Sequence, residues 1–181
     1  MAQTQRSMSA LFTLLADNTT RAISATDLRD AVESLRQREG ESYISSAAAT
    51  VVASTGVYVK AAGTSTLVAG AYEFDDDSGT DNRLMYTGAE TVHCDVGAVI
   101  SMTSVASNQV ICFKIAKNGV VIDSSEVQRK VGTGSDVGAL VCRASTDLDT
   151  GDYVELWVTN NTTSGNVTVE LCNLHVTGFT E

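Results

Sequence analysis

The order of apolar and polar positions divides the chain into two parts. Up to about residue 40, apolar residues recur every three or four positions, which is the period of an amphipathic helix. Beyond residue 43, Val, Thr, Ser, Ala and Gly dominate, and several segments alternate with period two, as strands do. We therefore predict a helical N-terminal arm over residues 1–42 and a β domain over residues 43–181.

The helix predicted in the arm begins at Ser24. The Ser24 hydroxyl can cap free backbone N–H groups, and Asp27 at the third helical position completes a capping box. Gly40 is placed to end the helix. The apolar stripe of this helix consists of Leu28, Ala31, Val32 and Leu35.

A four-turn helix with one apolar stripe is marginal alone in water, so the arm must pack against something. Packing against its own domain and docking onto a partner subunit are both open at this point. A second apolar segment lies upstream of the helix. The residues that we predict to dock are Leu11, Phe12, Leu14, Leu15, Leu28, Val32 and Leu35.

The β domain is predicted to contain nine strands joined by tight turns. Asn118-Gly119 is a strong hairpin signal, and a phase shift in the last strand predicts a bulge near Cys172–Asn173. Without intervening helices, such strands form an antiparallel β-sandwich or jelly roll. The predicted strands are residues 55–61, 64–68, 83–87, 91–104, 109–116, 120–129, 138–144, 153–160 and 165–177.

Two large aromatic residues share the second face of the strand over residues 153–160. Tyr153 and Trp157 alternate with the apolar positions that face the core. A monomer would expose them, so we predict that they form a subunit interface. A partly covered aromatic surface is the alternative.

Composition excludes several classes of protein. The 181 residues include no proline, and 12 Lys+Arg against 22 Asp+Glu give a net charge of −10, which argues against nucleic-acid binding. The charge is uneven, because residues 1–42 carry five positive and six negative side chains and the remainder carries seven and sixteen. We find no signal-like or membrane-spanning segment, and therefore expect synthesis in a cytoplasm.

The sequence offers little chemistry. Cys94, Cys112, Cys142 and Cys172 lack metal-ligand spacing and lie in apolar segments, so we predict four buried thiols. Flanking apolar residues likewise favour a packing role for His93 and His175 over a catalytic pair. We predict no enzyme and no cofactor.

One acidic loop, over residues 74–82, is a candidate ion site. Asp75, Asp77 and Asp81 could supply some of the six to eight oxygens that calcium takes. Counted from Asp75, the glycine falls at the fifth position instead of the sixth and the terminal Glu is missing, so the loop is not an EF-hand. A solvated charged turn is the favoured interpretation.

Most of the chain resembles the jelly-roll domains of tailed-bacteriophage virion proteins, which are similar in strand pattern to the trimeric C1q/TNF-like fold. The motifs KNG at residues 117–119 and GDYVELWV at 151–158 carry the resemblance to the domain, and residues 15–30 resemble the N-terminal module that often precedes it. The other matching segments are residues 58–60, 82–89, 115–116, 159–160 and 167–170.

The resemblance implies a homotrimer and no catalytic residues. It implies either a capsid decoration or cement protein on the capsid exterior, bound to the major capsid protein, or a head- or tail-fibre knob that recognises the host surface. A fibre normally has a shaft, and only about 45 residues precede the strands, so we favour the capsid protein.

Overall fold

The computed structural model describes residues 10, 13, 23–76, 82–132 and 136–180. The described elements include the α-helix α1 and thirteen strands, and the strands form two antiparallel sheets. The elements are α1 (Ala25–Ser34), β1 (Arg38–Ala47), β2 (Ala49–Thr50), β3 (Val59–Lys60), β4 (Gly63–Leu67), β5 (Phe74–Asp75), β6 (Arg83–Tyr86), β7 (Val92–Ser104), β8 (Gln109–Lys117), β9 (Val120–Val121), β10 (Val127–Val131), β11 (Gly138–Leu148), β12 (Tyr153–Asn160) and β13 (Val167–Thr180).

The two sheets pack face to face as a sandwich, which confirms the predicted fold class. The six-stranded sheet has the order β11-β7-β13-β1-β4, with β2 paired to β13. The seven-stranded sheet has the order β10-β8-β12-β6-β5, with β3 paired to β12 and β9 to β8. Neighbouring strands far apart in sequence, such as β1 and β13, show that the chain crosses repeatedly between the sheets, as a jelly roll does.

The core lies between the sheets and is formed by alternate residues of the long strands. Ile100 of β7 and Phe113 of β8 are completely buried in it. All four cysteines are buried free thiols, as predicted. Burial raises the pKa of the Cys94 thiol to about 12, so this thiol is protonated and unreactive at neutral pH.

Helix α1 begins as predicted and ends early. Asp27 N donates to Ser24 Oγ at 3.2 Å, and Ser24 N donates to the Asp27 carboxylate at 2.8 Å, which completes the capping box. The helix ends at Ser34, whose carbonyl accepts from the buried Arg38 guanidinium at 2.9 Å. The prediction that Gly40 ends the helix is therefore wrong. Gly40 lies in β1, where a Cβ would come within 2.5 Å of Phe74.

Strand β1 is the main element that the sequence did not predict, and it crosses the predicted boundary between residues 42 and 43. The predicted strand over 120–129 is interrupted by a short 3-10 helix at Asp123–Ser125. The hairpin prediction is confirmed, because Asn118 and Gly119 have φ values of 52° and 76°. The predicted bulge lies slightly earlier, between Val169 and Leu171.

Candidate interaction surfaces

The outer face of the six-stranded sheet carries an apolar patch formed by Tyr43, Val99, Val141 and Leu171. Their exposed fractions lie between 44% and 64%. Val99 is central, because its cross-strand partners are Val141 on β11 and Asn173 on β13, and Asn173 in turn pairs with Tyr43 on β1. Large apolar side chains are thus contiguous on an open sheet face, which is typical of an interaction surface.

Charged groups of both signs lie beside the patch on the same face. Arg143 forms an ion pair with Asp95, and Asn173 donates a hydrogen bond to Glu41. His175 lies opposite Glu41 in the β1–β13 register. This face therefore combines exposed apolar side chains with polar groups that are paired within the protomer.

The outer face of the seven-stranded sheet carries Tyr153 and Trp157, and both are only partly exposed. The Arg83 guanidinium lies 4.1 Å above the Tyr153 ring, and the Trp157 indole N–H donates to Glu155 at 3.1 Å. Glu155 is buried and also lies 2.8 Å from the Lys60 ammonium. The two aromatic side chains are engaged within the protomer, and their role in an interface stays a prediction.

A second cluster covers the neighbouring part of that face. The Lys114 ammonium lies 2.8 Å from Asp123, 3.0 Å from Glu126 and 4.6 Å from the Tyr58 ring centroid. Burial, followed by the nearby Cys112 and Glu126, raises the pKa of Tyr58 above its ordinary value. Side chains from outside the central strands therefore fold over this sheet.

The apolar stripe of helix α1 is divided between core and solvent. Ala31 is buried, whereas Leu28, Val32 and Leu35 are between 57% and 64% exposed. These three side chains form the exposed stripe. The other predicted docking residues, Leu11, Phe12, Leu14 and Leu15, lie outside the described residues.

The predicted calcium loop is described only at its first end. Asp75 ends β5, is exposed, and accepts from the Asp76 amide at 2.7 Å. Burial and the neighbouring Asp75 raise the pKa of Asp76. Asp77 and Asp81 lie outside the described residues, in which no group of three metal-ligating side chains occurs. Calcium binding therefore stays a prediction.

The prediction of a packing role for the histidines is wrong, because His93 and His175 both lie on the exposed outer face of the six-stranded sheet. Both are in phase with polar residues of their strands. His93 Nδ1 lies 2.5 Å from the Asp147 carboxylate, and its Nε2 lies 2.9 Å from the Ser145 hydroxyl.

One feature of the sequence points to the apolar patch. Val99 alternates in phase with His93 and Asp95, so an apolar residue occupies the polar face of its strand. The predicted end of β11 at Ala144 also left Ser145 and Asp147 outside any strand, whereas β11 extends to Leu148.

No protein-family model matches the chain, and no curated protein sequence matches it. Murine APRIL is similar in structure at 7% identity and a TM-score of 0.46, over 78% of this chain and 100% of that chain. Eiger TNF from S. frugiperda is similar at 10% identity and 0.49, over 80% and 94%. These similarities concern the fold, and no functional argument rests on them. In the described residues, no helix is long and apolar enough to span a membrane.

Proposed function

We propose that this protein is a homotrimeric structural protein of a tailed-phage virion, which binds the capsid exterior and stabilises it. The observation that carries the proposal is that apolar side chains are exposed on two separate surfaces, the apolar patch and the exposed stripe of α1. Assembly on a particle needs two kinds of contact, one between copies and one with the capsid. The apolar patch would serve the first contact and the exposed stripe the second.

The apolar patch is assigned to contacts between copies. The patch extends across β11, β7, β13 and β1, and contiguous exposed apolar side chains of this kind mark protein–protein contacts. Arg143 and Asp95 already form an ion pair within the protomer on this face, so a second copy would meet the patch through its apolar side chains.

The exposed stripe is assigned to an apolar surface of the major capsid protein. Residues 1–42 carry five positive and six negative side chains, so the arm is nearly neutral. The rest of the chain, with seven positive and sixteen negative side chains, remains soluble when many copies face outward. The arm therefore meets another protein with less electrostatic repulsion than the sandwich does.

Co-sedimentation with capsids that lack this protein tests the proposal. We expect the wild type to sediment with the particles, and a triple variant with Leu28, Val32 and Leu35 changed to Ser to stay in the supernatant with its oligomeric mass unchanged. Substitution is preferable to deleting residues 1–40, because deletion removes the buried Arg38.

A matched control changes three exposed valines in loops to Ser, and this variant should bind as the wild type does. The control positions are Val51, Val105 and Val137. A wild-type protein that fails to bind capsids, or a stripe variant that binds equally well, contradicts the proposal.

A further inference from the structure

Three polar side chains meet on the outer face of the six-stranded sheet, where β11 pairs with β7. Asp147 Oδ1 lies 2.5 Å from His93 Nδ1, and Ser145 Oγ lies 2.9 Å from His93 Nε2. The carboxylate and the hydroxyl therefore contact different nitrogens of one imidazole. This order of carboxylate, Nδ1, Nε2 and hydroxyl is the one by which a serine is activated as a nucleophile.

Strand pairing holds the three side chains in place. Ser145 and Asp147 are two residues apart on β11 and so point to the same side of the sheet. Asp147 lies directly opposite His93 in a continuous antiparallel register that runs from Gly138 to Leu148. The Lys117 ammonium also donates to the Asp147 carbonyl at 2.7 Å, which fixes the backbone at this point.

The charged groups around His93 favour a proton on its Nδ1 and a free lone pair on its Nε2, which nucleophilic attack by Ser145 needs. Asp95, which lies opposite Ser145, is engaged by Arg143, so Asp147 is the carboxylate that serves His93. When Asp147 accepts the Nδ1 proton, Nε2 keeps its lone pair and accepts the proton of the Ser145 hydroxyl. His93 can then act as the base for Ser145.

We infer that Ser145, His93 and Asp147 form a nucleophilic triad that takes acyl groups from activated esters. Ser145 Oγ attacks the carbonyl carbon while its proton passes to His93 Nε2. The bond to the leaving oxygen breaks, and the alcohol departs with that proton or, if it is acidic, as its anion. The products are acyl-Ser145 and the alcohol, and water attack on the acyl group then releases the carboxylic acid.

The surroundings indicate the class of ester. Phe179 on β13 lies opposite His93 and is about half exposed, so an aryl or short alkyl group can rest beside the base. Asp147 lies six residues along β11 from Val141, which is about 20 Å, so the triad lies at the far end of the sheet face that carries the apolar patch.

Reaction of the full-length protein with p-nitrophenyl acetate tests the triad. We expect a burst of one p-nitrophenolate per chain and one acetyl group located on Ser145 by peptide mass spectrometry. Ser145→Ala should abolish the burst, and Asp147→Asn should slow it about 100-fold.

The same sheet face offers matched controls. His175→Gln and Ser101→Ala change another outward histidine and serine, and we expect both variants to keep the burst. Because Ser145 and His93 are exposed, their variants should unfold at the same urea concentration as the wild type. If the wild type gains no acetyl group on Ser145, or if Ser145→Ala gives the same burst, the three side chains only hold the strands together and the inference is wrong.

Discussion

The outer faces of the two sheets are built from similar alternating strands, yet they differ in what covers them. On the seven-stranded sheet, Glu155 and Lys114 are buried because groups such as Lys60 and the Tyr58 ring lie against them. On the six-stranded sheet, the apolar patch around Val99 has no comparable cover among the described residues. Side chains of the same protomer therefore cover the outer face of the seven-stranded sheet, whereas the apolar patch on the six-stranded sheet is exposed.

The difference concerns the aromatic residues that the sequence predicts to form an interface, because their polar groups already have partners within the protomer. Trp157 is partly exposed, but its indole N–H already has an acceptor in Glu155, and an ion pair with Lys60 balances that carboxylate. This cluster needs no second copy to satisfy it. The side chains of Val99 and Leu171 have no polar groups that need a partner. Burying them is worth about 25 cal/mol for each Å² of apolar surface removed from water.

The largest expected effect comes from placing a charge in the apolar patch. Val99→Lys would put an ammonium group at the centre of the proposed contact between copies, and we expect association to weaken about 100-fold or more. The change lies on an exposed position, so the protomer should keep its stability. Light scattering over a range of protein concentrations measures both the oligomeric mass and its loss.

Two further variants decide between the faces. Val120→Lys, at a valine that is 70% exposed on β9 of the other sheet, should leave the mass unchanged. Trp157→Ala should also leave it unchanged if the patch is the interface. A mass that falls in Trp157→Ala and stays constant in Val99→Lys would instead support the aromatic face that the sequence predicted.

A smaller effect, on folding alone, is expected on the seven-stranded side. Glu155→Ala removes the acceptor of the Lys60 ammonium and the Trp157 indole, and we expect a loss of about 2–3 kcal/mol in the free energy of unfolding. Asp95→Ala, which breaks the exposed pair with Arg143, should cost less than about 0.5 kcal/mol. Urea unfolding measures both, and equal losses would contradict the contrast between the faces.

The sequence was sufficient for most of the fold because local rules determine it. The Ser24 capping box, the Asn118-Gly119 hairpin and the long alternating strands each depend on neighbours within a few residues. Strand β1 escaped prediction because its inward positions include Arg38 and Gly40, which are not typical of a strand. Both fit only because distant residues, Glu73 for Arg38 and Phe74 for Gly40, lie against them.

The candidate surfaces were less predictable, since they depend on contacts between distant segments. Periodicity placed Trp157 on an outward face, but it could not show that Lys60 and Glu155 meet beside it. It also could not bring His93 to Asp147, because that contact depends on the β7–β11 register. Local sequence determines which side of the sheet a residue faces. The strand topology determines which distant side chains cover it and which ones it contacts.

The smallest expected effect is a pH dependence confined to the covered face. The hydrogen bond from Lys114 lowers the pKa of Glu126 below its ordinary value, against the opposing effect of burial. Glu126 therefore stabilises the fold above pH 4.5, and this contribution is lost as the pH falls through its lower folded value. Glu126→Gln should reduce the acid-side slope of the urea midpoint only slightly, because the carboxylate is partly exposed. In a Lys114→Met background the same substitution should change the slope less, because only the Tyr58 hydrogen bond then helps to lower this pKa. An equal change in both backgrounds would contradict the role of Lys114.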